Sequence, residues 1–425
     1  MLRLLRERNM ALLWVGGLIS LIGDWVLLTA LPYYVYQLTS SLLATAAMTV
    51  TELVPSLLLS SVAGVFVDRW DRKTTMVIGN LLQACVVLLL LLIHSIAWLW
   101  IVYLAIFVQA TVSNFVTPAE YALLPQLIAE DDLTTANSLF GLSTQLARLM
   151  GPPLGGALLG FFGLSPVAVV DSISFLIVAV MLACLQVSSS PLHNRAVSEA
   201  QAASILKNGW VNFWSEWAQG WKLIREKPAL MNLMLVLGIM TFGGTMIDPL
   251  YPAFVKDIMR VGPLGFGWLR TAQAIGGIIG GLVVGYIGGK LSTGRLLAWG
   301  NLLVGLLLLI RNHIPLLPAG LAVALLIGPE QVATGVALQT LMQTSVENSY
   351  QGRLFGIIGT TGALCSMLGG GIGGPLGDWI GIVPALDVTA LLILLSAGVT
   401  SVTLPGAKRP PSQTKRVGQG TASPV

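Results

Sequence analysis

The chain of 425 residues is 55% hydrophobic and only 10% charged, with a mean hydropathy of +0.81. Soluble domains carry about 25% charged residues, so this composition excludes a water-soluble enzyme, a secreted disulfide-rich domain and a disordered chain. It predicts an all-α polytopic membrane protein. The three cysteines lie singly in apolar segments and the three histidines are scattered, so we expect no metal site and no cofactor.

Twelve segments are apolar and long enough to cross a bilayer, which takes about 20 residues in a helix. In chain order they cover residues 11–36, 43–66, 75–94, 97–118, 138–161, 165–187, 230–254, 265–288, 296–312, 317–343, 354–376 and 382–403. We therefore expect a six-helix bundle at 1–187, a cytoplasmic linker at 188–228, a second six-helix bundle at 229–404 and a disordered tail at 405–425.

The linker contains an aromatic stripe at helical spacing, which predicts an amphipathic helix in the membrane interface. Docking of a partner protein is the alternative. The stripe consists of Trp210, Phe213, Trp214, Trp217, Trp221 and Ile224.

The distribution of lysine and arginine predicts the orientation of the chain in the cell membrane. If both termini are cytoplasmic, eighteen of the 23 basic residues lie on the cytoplasmic side. Lys256, Arg260 and Arg311 lie on the other side, and Arg148 and Arg270 lie in or at the edge of spans. This bias predicts an inner-membrane protein with both termini in the cytoplasm.

The two halves of the sequence resemble each other. Residues 79–82, Gly-Asn-Leu-Leu, recur at 300–303, a displacement of 221, and Gly64 matches Gly285 at the same displacement. Such parallel halves predict two pseudo-symmetric bundles with a binding site between them near the middle of the bilayer.

Two motifs carry a family resemblance. The loop after the second span has Gly64, Asp68, Arg69, Arg72 and Lys73 at the spacing G-x-x-x-D-R-x-x-R-K, which resembles the signature loop of the major facilitator superfamily. The fifth span contains Gly151, Pro152, Gly155 and Gly156, similar to the G-P-x-x-G-G motif of its antiporter branches. The segment 23–39 is similar to the macrolide and tetracycline efflux branch.

The resemblance implies the major facilitator fold of twelve helices and roles for both motifs. Asp68 would latch the halves together on the cytoplasmic side, while Arg69, Arg72 and Lys73 would hold the topology and contact anionic lipid. A positive-inside anchor alone is the alternative for the whole run, Asp68 included. The motif glycines of the fifth span would face Gly276, Gly277, Gly280, Gly281 and Gly285 of the eighth span as a rocking surface, and pure packing is the alternative.

Ionisable residues inside spans are costly and therefore point to function. They are Asp24, Glu52, Arg148, Asp171, Asp248 and Glu330, with Asp387 at a shallower position. We select Asp24, Asp248, Arg148, Glu330 and Glu52 as candidates for proton coupling, with structural ion pairing as the alternative for each. Ile106 stands where many antiporters of the superfamily carry an arginine, and Arg148 is the expected substitute.

These features predict a secondary active transporter that exports amphipathic small molecules, such as macrolide-like drugs, in exchange for protons. Trp25, Tyr33, Phe242 and Met246 are expected to line its substrate cavity. Movement of lysophospholipid or a siderophore is an alternative, and a receptor, a scaffold or a membrane-embedded enzyme would belong to another class. The sequence contains no P-loop and no nucleophile or metal motif of an enzyme. We expect a monomer whose partners are substrate, protons and lipid, without nucleic acid.

Overall fold

The computed structural model describes residues 3–67, 70–186, 228–287, 293–345 and 348–403, together with Trp221 and Arg225. Within these residues the chain is helical and contains no β-strand. The tail at 405–425 lies outside the described residues, and so does most of the linker with its aromatic stripe. Trp221 is helical and packs against Leu230 and Met234 at the start of the second half.

Twelve long α-helices occupy the described part of the chain. The first half contains α1 (Arg8–Thr39), α2 (Leu42–Val67), α3 (Arg72–Leu88), α4 (Leu99–Leu127), α5 (Leu133–Phe162) and α6 (Leu164–Ala183). The second half contains α7 (Pro228–Ala253), α8 (Pro263–Ile287), α9 (Thr293–His313), α10 (Leu317–Ser345), α11 (Asn348–Ile380) and α12 (Ile382–Thr403). Each helix overlaps one of the apolar segments predicted from the sequence, in the same order.

Ten of the described helices are long and apolar enough to cross a membrane. The other two are α5 and α8, which contain 30 and 25 residues and are rich in glycine. These two helices pack against each other between the halves, so part of their surface meets protein instead of lipid. Small residues in both helices allow this close packing.

Helix packing repeats between the halves with a shift of six helices. In the first half α1 packs on α5 and α6, α3 on α4 and α6, and α2 on α4. In the second half α7 packs on α11 and α12, α9 on α10 and α12, and α8 on α10. The repeated glycines take equivalent positions, because Gly79 of α3 lies against Val116 of α4 and Gly300 of α9 lies against Glu330 of α10. The two pseudo-symmetric bundles predicted from the repeat are confirmed.

The largest contacts between the halves are two equivalent helix pairs, α2 with α11 and α5 with α8. At the first pair Gly374 allows close approach, since a Cβ atom there would lie 2.5 Å from the backbone oxygen of Leu42. At the second pair a Cβ atom on Gly156 would lie 2.5 Å from the backbone oxygen of Pro263. Small residues therefore bring the two backbones together at both contacts.

The α5–α8 contact differs from the predicted one. Gly156 and Gly267 form it, whereas Gly276 and Gly280 pack against the backbone of α10 within the second half. Gly276 follows Gly267 by nine residues, which is about two and a half turns, so the two glycines lie on opposite faces of α8. A count of glycines along the sequence does not distinguish these faces.

The two halves are closed against each other at one end only of the described structure. We call the end where α1 begins and α12 ends the terminal end, and the opposite one the far end. A single apolar cluster joins the halves at the far end and includes Leu31 and Leu42 of the first half with Leu250 and Phe266 of the second. At the terminal end each half has separate clusters, such as those around Met76 and Leu233.

Candidate functional site

A cavity of about 870 Å³ lies between the halves on the terminal side of the far-end cluster. Its walls come from α1, α2, α3 and α4 of the first half and from α7 and α8 of the second. The charged side chains in its wall are Asp24, Glu52, Asp248 and Arg270. Its apolar wall includes Trp25, Leu28, Leu31, Met48, Leu53 and Ile106. The site therefore combines a large apolar surface with an excess of carboxylates.

Asp248 forms an ion pair inside this cavity. Its Oδ1 atom lies 3.6 Å from a guanidinium nitrogen of Arg270. The same guanidinium lies over the rings of Tyr251 and Phe266, at 5.3 and 5.5 Å from their centres. The Phe266 ring in turn contacts Tyr33 of the first half, with 5.6 Å between ring centres. Arg270 thus connects a cavity carboxylate to the aromatic residues that join the halves.

Two tyrosines of α1 bond to the second half at the far end. The hydroxyl of Tyr36 donates a hydrogen bond of 2.5 Å to the Asp257 carboxylate, and Lys256 lies over the Tyr36 ring at 5.2 Å. The hydroxyl of Tyr33 donates to the backbone oxygen of Val261 at 3.0 Å. These bonds connect the two halves at the far end.

The structure brings together three of the five residues selected for proton coupling. Asp24, Glu52 and Asp248 line the same cavity. Arg148 lies beside it, with its guanidinium stacked over the Trp25 ring at 5.3 Å. Glu330 lies between α9 and α10, away from the cavity, where its carboxylate accepts a hydrogen bond from the hydroxyl of Thr334. A role of Glu330 in this cavity is therefore not supported by its position.

Of the four residues expected to line the cavity, the structure places only Trp25 in its wall. Tyr33 is 4% exposed because it belongs to the contact that closes the far end. Phe242 and Met246 lie on the face of α7 that packs against glycines of α11. Residue type alone suggests these aromatic and methionine residues as cavity lining. The rotation of each helix about its axis decides which of them reach the cavity.

In the signature loop, Arg72 and Lys73 bind backbone oxygens of the first half. The Arg72 guanidinium donates to the Ala122 oxygen at 2.6 Å, and the Lys73 ammonium donates to the oxygens of Ala183 and Leu185 at 2.8 Å. Ala183 is the last residue of α6, and the last carbonyl groups of a helix carry partial negative charge, so Lys73 is well placed at this helix end. Arg72 and Lys73 hold the terminal ends of three helices together.

Asp71 of the same loop caps α3. Its carboxylate accepts a hydrogen bond of 2.7 Å from the backbone nitrogen of Thr74, as an N-cap residue does. Hydrogen bonds from the side chain and backbone of Thr74 lower the pKa of this carboxyl below its usual range. Gly64 lies in α2 near its terminal end, and Asp68 and Arg69 lie outside the described residues.

The glycines of the fifth-span motif pack against two helices, α1 and α8. Gly151 and Gly155 lie against the backbone of α1 at Trp25 and Val26, and Gly156 faces α8 as described above. Pro152 lies inside α5, and its backbone oxygen contacts Gly267 of α8. The motif thus joins α1, which carries Asp24, to the contact between the halves.

A further acid, Glu120, was missed by the sequence reasoning because the fourth span was ended at residue 118. In the structure α4 continues to Leu127, through Pro118 and Pro125, and Glu120 points into the first bundle beside Gly17. Ser113, Thr117 and Glu120 follow one another at helical spacing. That polar face within an apolar segment was the signal available in the sequence.

Comparison with known proteins agrees with this architecture. The family model of the Major Facilitator Superfamily matches residues 13–369 and 233–425. Macrolide efflux protein A of Streptococcus pyogenes is 24% identical over 391 residues, covering 91% of this chain and 93% of that protein. Multidrug efflux pump Tap of Mycolicibacterium fortuitum is 25% identical over 394 residues, covering 90% of this chain and 92% of that protein.

A solved structure shows the same fold. The crystal structure of a bacterial homologue of the iron transporter ferroportin in the inward-facing state superimposes with a TM-score of 0.74 at 18% identity, covering 93% of this chain and 98% of that one. The family match extends over both halves of the sequence, and the fold, the repeat and the cavity between the halves agree with it. The chain belongs to the major facilitator superfamily and is a multi-pass membrane transporter, not an enzyme.

Proposed function

We propose that this transporter exports amphipathic small molecules, macrolide-like drugs among them, in exchange for protons. The observation that carries the proposal is the cavity between the halves, where Asp24, Glu52 and Asp248 lie beside an extended apolar wall. Relatives named as macrolide and multidrug efflux proteins, aligned over nearly their whole length, support export as the direction.

The cavity favours an amphipathic cation. Its volume of about 870 Å³ lies within the range of sites that bind drug-sized molecules. Three carboxylates and one cation, Arg270, are among the described lining residues, and Arg148 lies beside the cavity on Trp25, so the cavity attracts positive charge when its acids are ionised. The apolar wall contributes binding free energy in proportion to the apolar area that the substrate buries.

Asp248 is positioned to couple protonation to the closure of the far end. A proton on Asp248 removes the charge that holds Arg270, and a cationic substrate competes with Arg270 for the same carboxylate. Because Arg270 contacts Tyr251 and Phe266, its release changes the contacts that join the halves. Protons and substrate would then bias the same equilibrium between the two states, as coupled exchange requires.

We further propose that the termini lie in the cytoplasm, as the lysine and arginine distribution indicates. The far end is then extracellular, and the conformation described here receives substrate from the cytoplasm. One chain supplies both walls of the cavity, so the proposal requires only a monomer.

The experiment has two stages. Cells that lack their own pumps and express this protein are grown with a panel of amphipathic toxic compounds, which includes macrolides, a lysophospholipid and a siderophore. The purified protein is then reconstituted, and uptake of the best compound is measured with and without a pH gradient. We expect Asp24→Asn and Asp248→Asn to reduce gradient-driven flux about tenfold, the order of a typical coupling free energy.

Asp131→Asn, a change in an exposed loop, is the control and should leave the flux unchanged. Flux that is indifferent to the gradient in the unmodified protein would contradict proton exchange. Full gradient dependence in both cavity variants would place the coupling acid elsewhere. If the protein makes cells tolerant only of the lysophospholipid or only of the siderophore, that compound replaces drug-like amphiphiles as the proposed substrate class.

We propose Asp68 as a latch between the halves at the terminal end, on the strength of the signature loop. Asp68→Asn should reduce export about tenfold or more while the protein still inserts, because a charged hydrogen bond is worth about 1.5–3 kcal/mol. Asp71→Asn is a matched control three residues away, since asparagine caps a helix as well as aspartate does. Export by Asp68→Asn equal to that of the control would remove the latch role.

A further inference from the structure

A side chamber of about 230 Å³ lies inside the first bundle, next to the central cavity. The two spaces share four lining residues, Asp24, Gln83, Ser113 and Thr117. From this shared wall the chamber extends towards the terminal end, where Leu13, Leu124 and Leu182 line it. It is large enough for several water molecules, each of which takes about 30 Å³ in the liquid. The chamber lies entirely within one half, so a substrate in the central cavity does not fill it.

Asp171 of α6 lies against Gly23 of α1, the residue that precedes Asp24. Its side chain is fully buried, and neither carboxylate oxygen has a hydrogen-bond partner among the described residues. The side chains of Gln109 and Ser174 lie close enough to this carboxylate to stabilise its charged form, although neither meets it in ordinary hydrogen-bond geometry. Any Cβ atom at Gly23 would lie 2.6 Å from the Asp171 carboxylate, so this glycine allows α1 and α6 to bring the two acids together.

The charges around this pair do not neutralise it directly. Among the described residues, neither Asp24 nor Asp171 forms an ion pair. The charged side chains of the helices packed against α1 are Glu52 on α2, Glu120 on α4, Arg148 on α5, Asp171 on α6, Asp248 on α7 and Arg270 on α8. Arg148 stacks on Trp25, and Arg270 pairs with Asp248. Two neighbouring carboxylates in an apolar setting cannot both ionise at acceptable cost.

We propose that Asp24 and Asp171 hold one proton between them, and that the side chamber conducts this proton to the terminal-end compartment through Glu120, by a path separate from the substrate cavity. The inference rests on the proposed proton exchange and specifies its path. The unpartnered carboxylate of Asp171 beside Asp24 supplies the place for the proton, and the chamber supplies the connection.

The proton moves in two steps. Glu120, a carboxylate at rest, takes up a proton from water at the terminal end and becomes the acid. It then releases this proton through water in the chamber to the Asp24–Asp171 pair and returns to a carboxylate. It lies beside Gly17, which is seven residues and therefore about 10 Å along α1 from Asp24. Gln83 and Ser113, joined by a hydrogen bond of 3.0 Å, offer polar contacts to the intervening water.

The shared proton is tested by infrared spectroscopy of the purified protein without substrate. The unmodified protein should show the band of a protonated carboxyl group at neutral pH. Asp171→Asn and Asp24→Asn should each lower the pH at which this band disappears, because the remaining acid no longer faces a second carboxylate. Asp131→Asn is the control. A band that disappears at the same pH in both pair variants as in the unmodified protein overturns the inference. If Asp171→Asn does not fold, Asp24→Asn alone carries the test. Asp24 lines a cavity, so its substitution disturbs the packed interior less than that of the fully buried Asp171.

The path is tested with Glu120→Gln. Proton exchange after a rapid pH change should slow about 100-fold, the typical contribution of a positioned acid–base group, while the carboxyl band and substrate affinity stay unchanged. Exchange at the normal rate overturns the path. Gradient-independent flux in the unmodified protein would defeat the proposed function itself. Gradient-driven flux together with an unchanged band in Asp24→Asn and Asp171→Asn would defeat only this inference.

Discussion

At the contact between α5 and α8, one glycine sets how closely the two halves approach. Gly156 leaves no room for a side chain because the backbone oxygen of Pro263 occupies that space. Gly160, one turn later, has ordinary room, since an added Cβ atom would lie 3.8 Å from the Leu264 nitrogen. The two positions therefore form a matched pair for the same substitution.

We expect Gly156→Ala to lower the free energy of unfolding by about 1–3 kcal/mol, the usual cost of overpacking a tight contact. Thermal unfolding of the purified protein in detergent measures the change. Gly160→Ala should unfold within about 0.5 kcal/mol of the unmodified protein, as a substitution without a clash does. Equal destabilisation by the two variants would show that the close approach at Gly156 is unimportant.

The acidic residues of a cavity are easier to predict from the sequence than the residues of its apolar wall. Burying a charge in a bilayer is so costly that the mere presence of Asp24, Glu52 and Asp248 in apolar segments marked them, and all three line the cavity. An aromatic residue has no such cost, and it is as common against lipid or between helices as in a cavity. Tyr33 and Met246 were therefore chosen without a physical constraint on their position.

Among the elements, α1 does most to connect the cavity with its closure. It carries Asp24 at the cavity and Tyr33 and Tyr36 at the far end. Tyr36 binds Asp257 in the π-helical segment Phe254–Ile258, which follows α7. A π-helical turn marks a local distortion that often accompanies function, and here it presents the acceptor of a bond between the halves.

We expect Tyr36→Phe to weaken closure of the far end and shift the equilibrium towards its open state by about tenfold or more, because hydrogen bonds to charged groups contribute about 1.5–3 kcal/mol. Distances between spin labels on the far-end ends of α1 and α7 would measure the populations. Tyr34→Phe is the control, since its hydroxyl makes no hydrogen bond in the described part of the chain. An identical distance distribution in both variants would exclude Tyr36 from the closure.

At the scale of the whole molecule, the apolar cluster at the far end defines one state of the alternating-access cycle that we propose. The side that this state faces depends on orientation, which the lysine and arginine distribution predicts. A tag on either terminus should be accessible to protease only in membrane vesicles that expose the cytoplasmic face, and never in intact cells. Cleavage of either tag in intact cells would invert the topology and reverse the proposed direction of loading.

The sequence by itself determined the twelve spans, the two repeated halves and the motifs that resemble the superfamily. These features can be read along the sequence. A helix crosses a bilayer if it is long and apolar enough, and repeated halves show the same residues at a constant displacement. Tertiary structure alone decided which residues meet. Asp24, Glu52 and Asp248 share a cavity while Glu330 does not, and Glu120 joins a chamber beside Asp24. Those outcomes depend on the rotation of each helix about its axis and on contacts between residues more than a hundred positions apart, which a linear pattern does not encode.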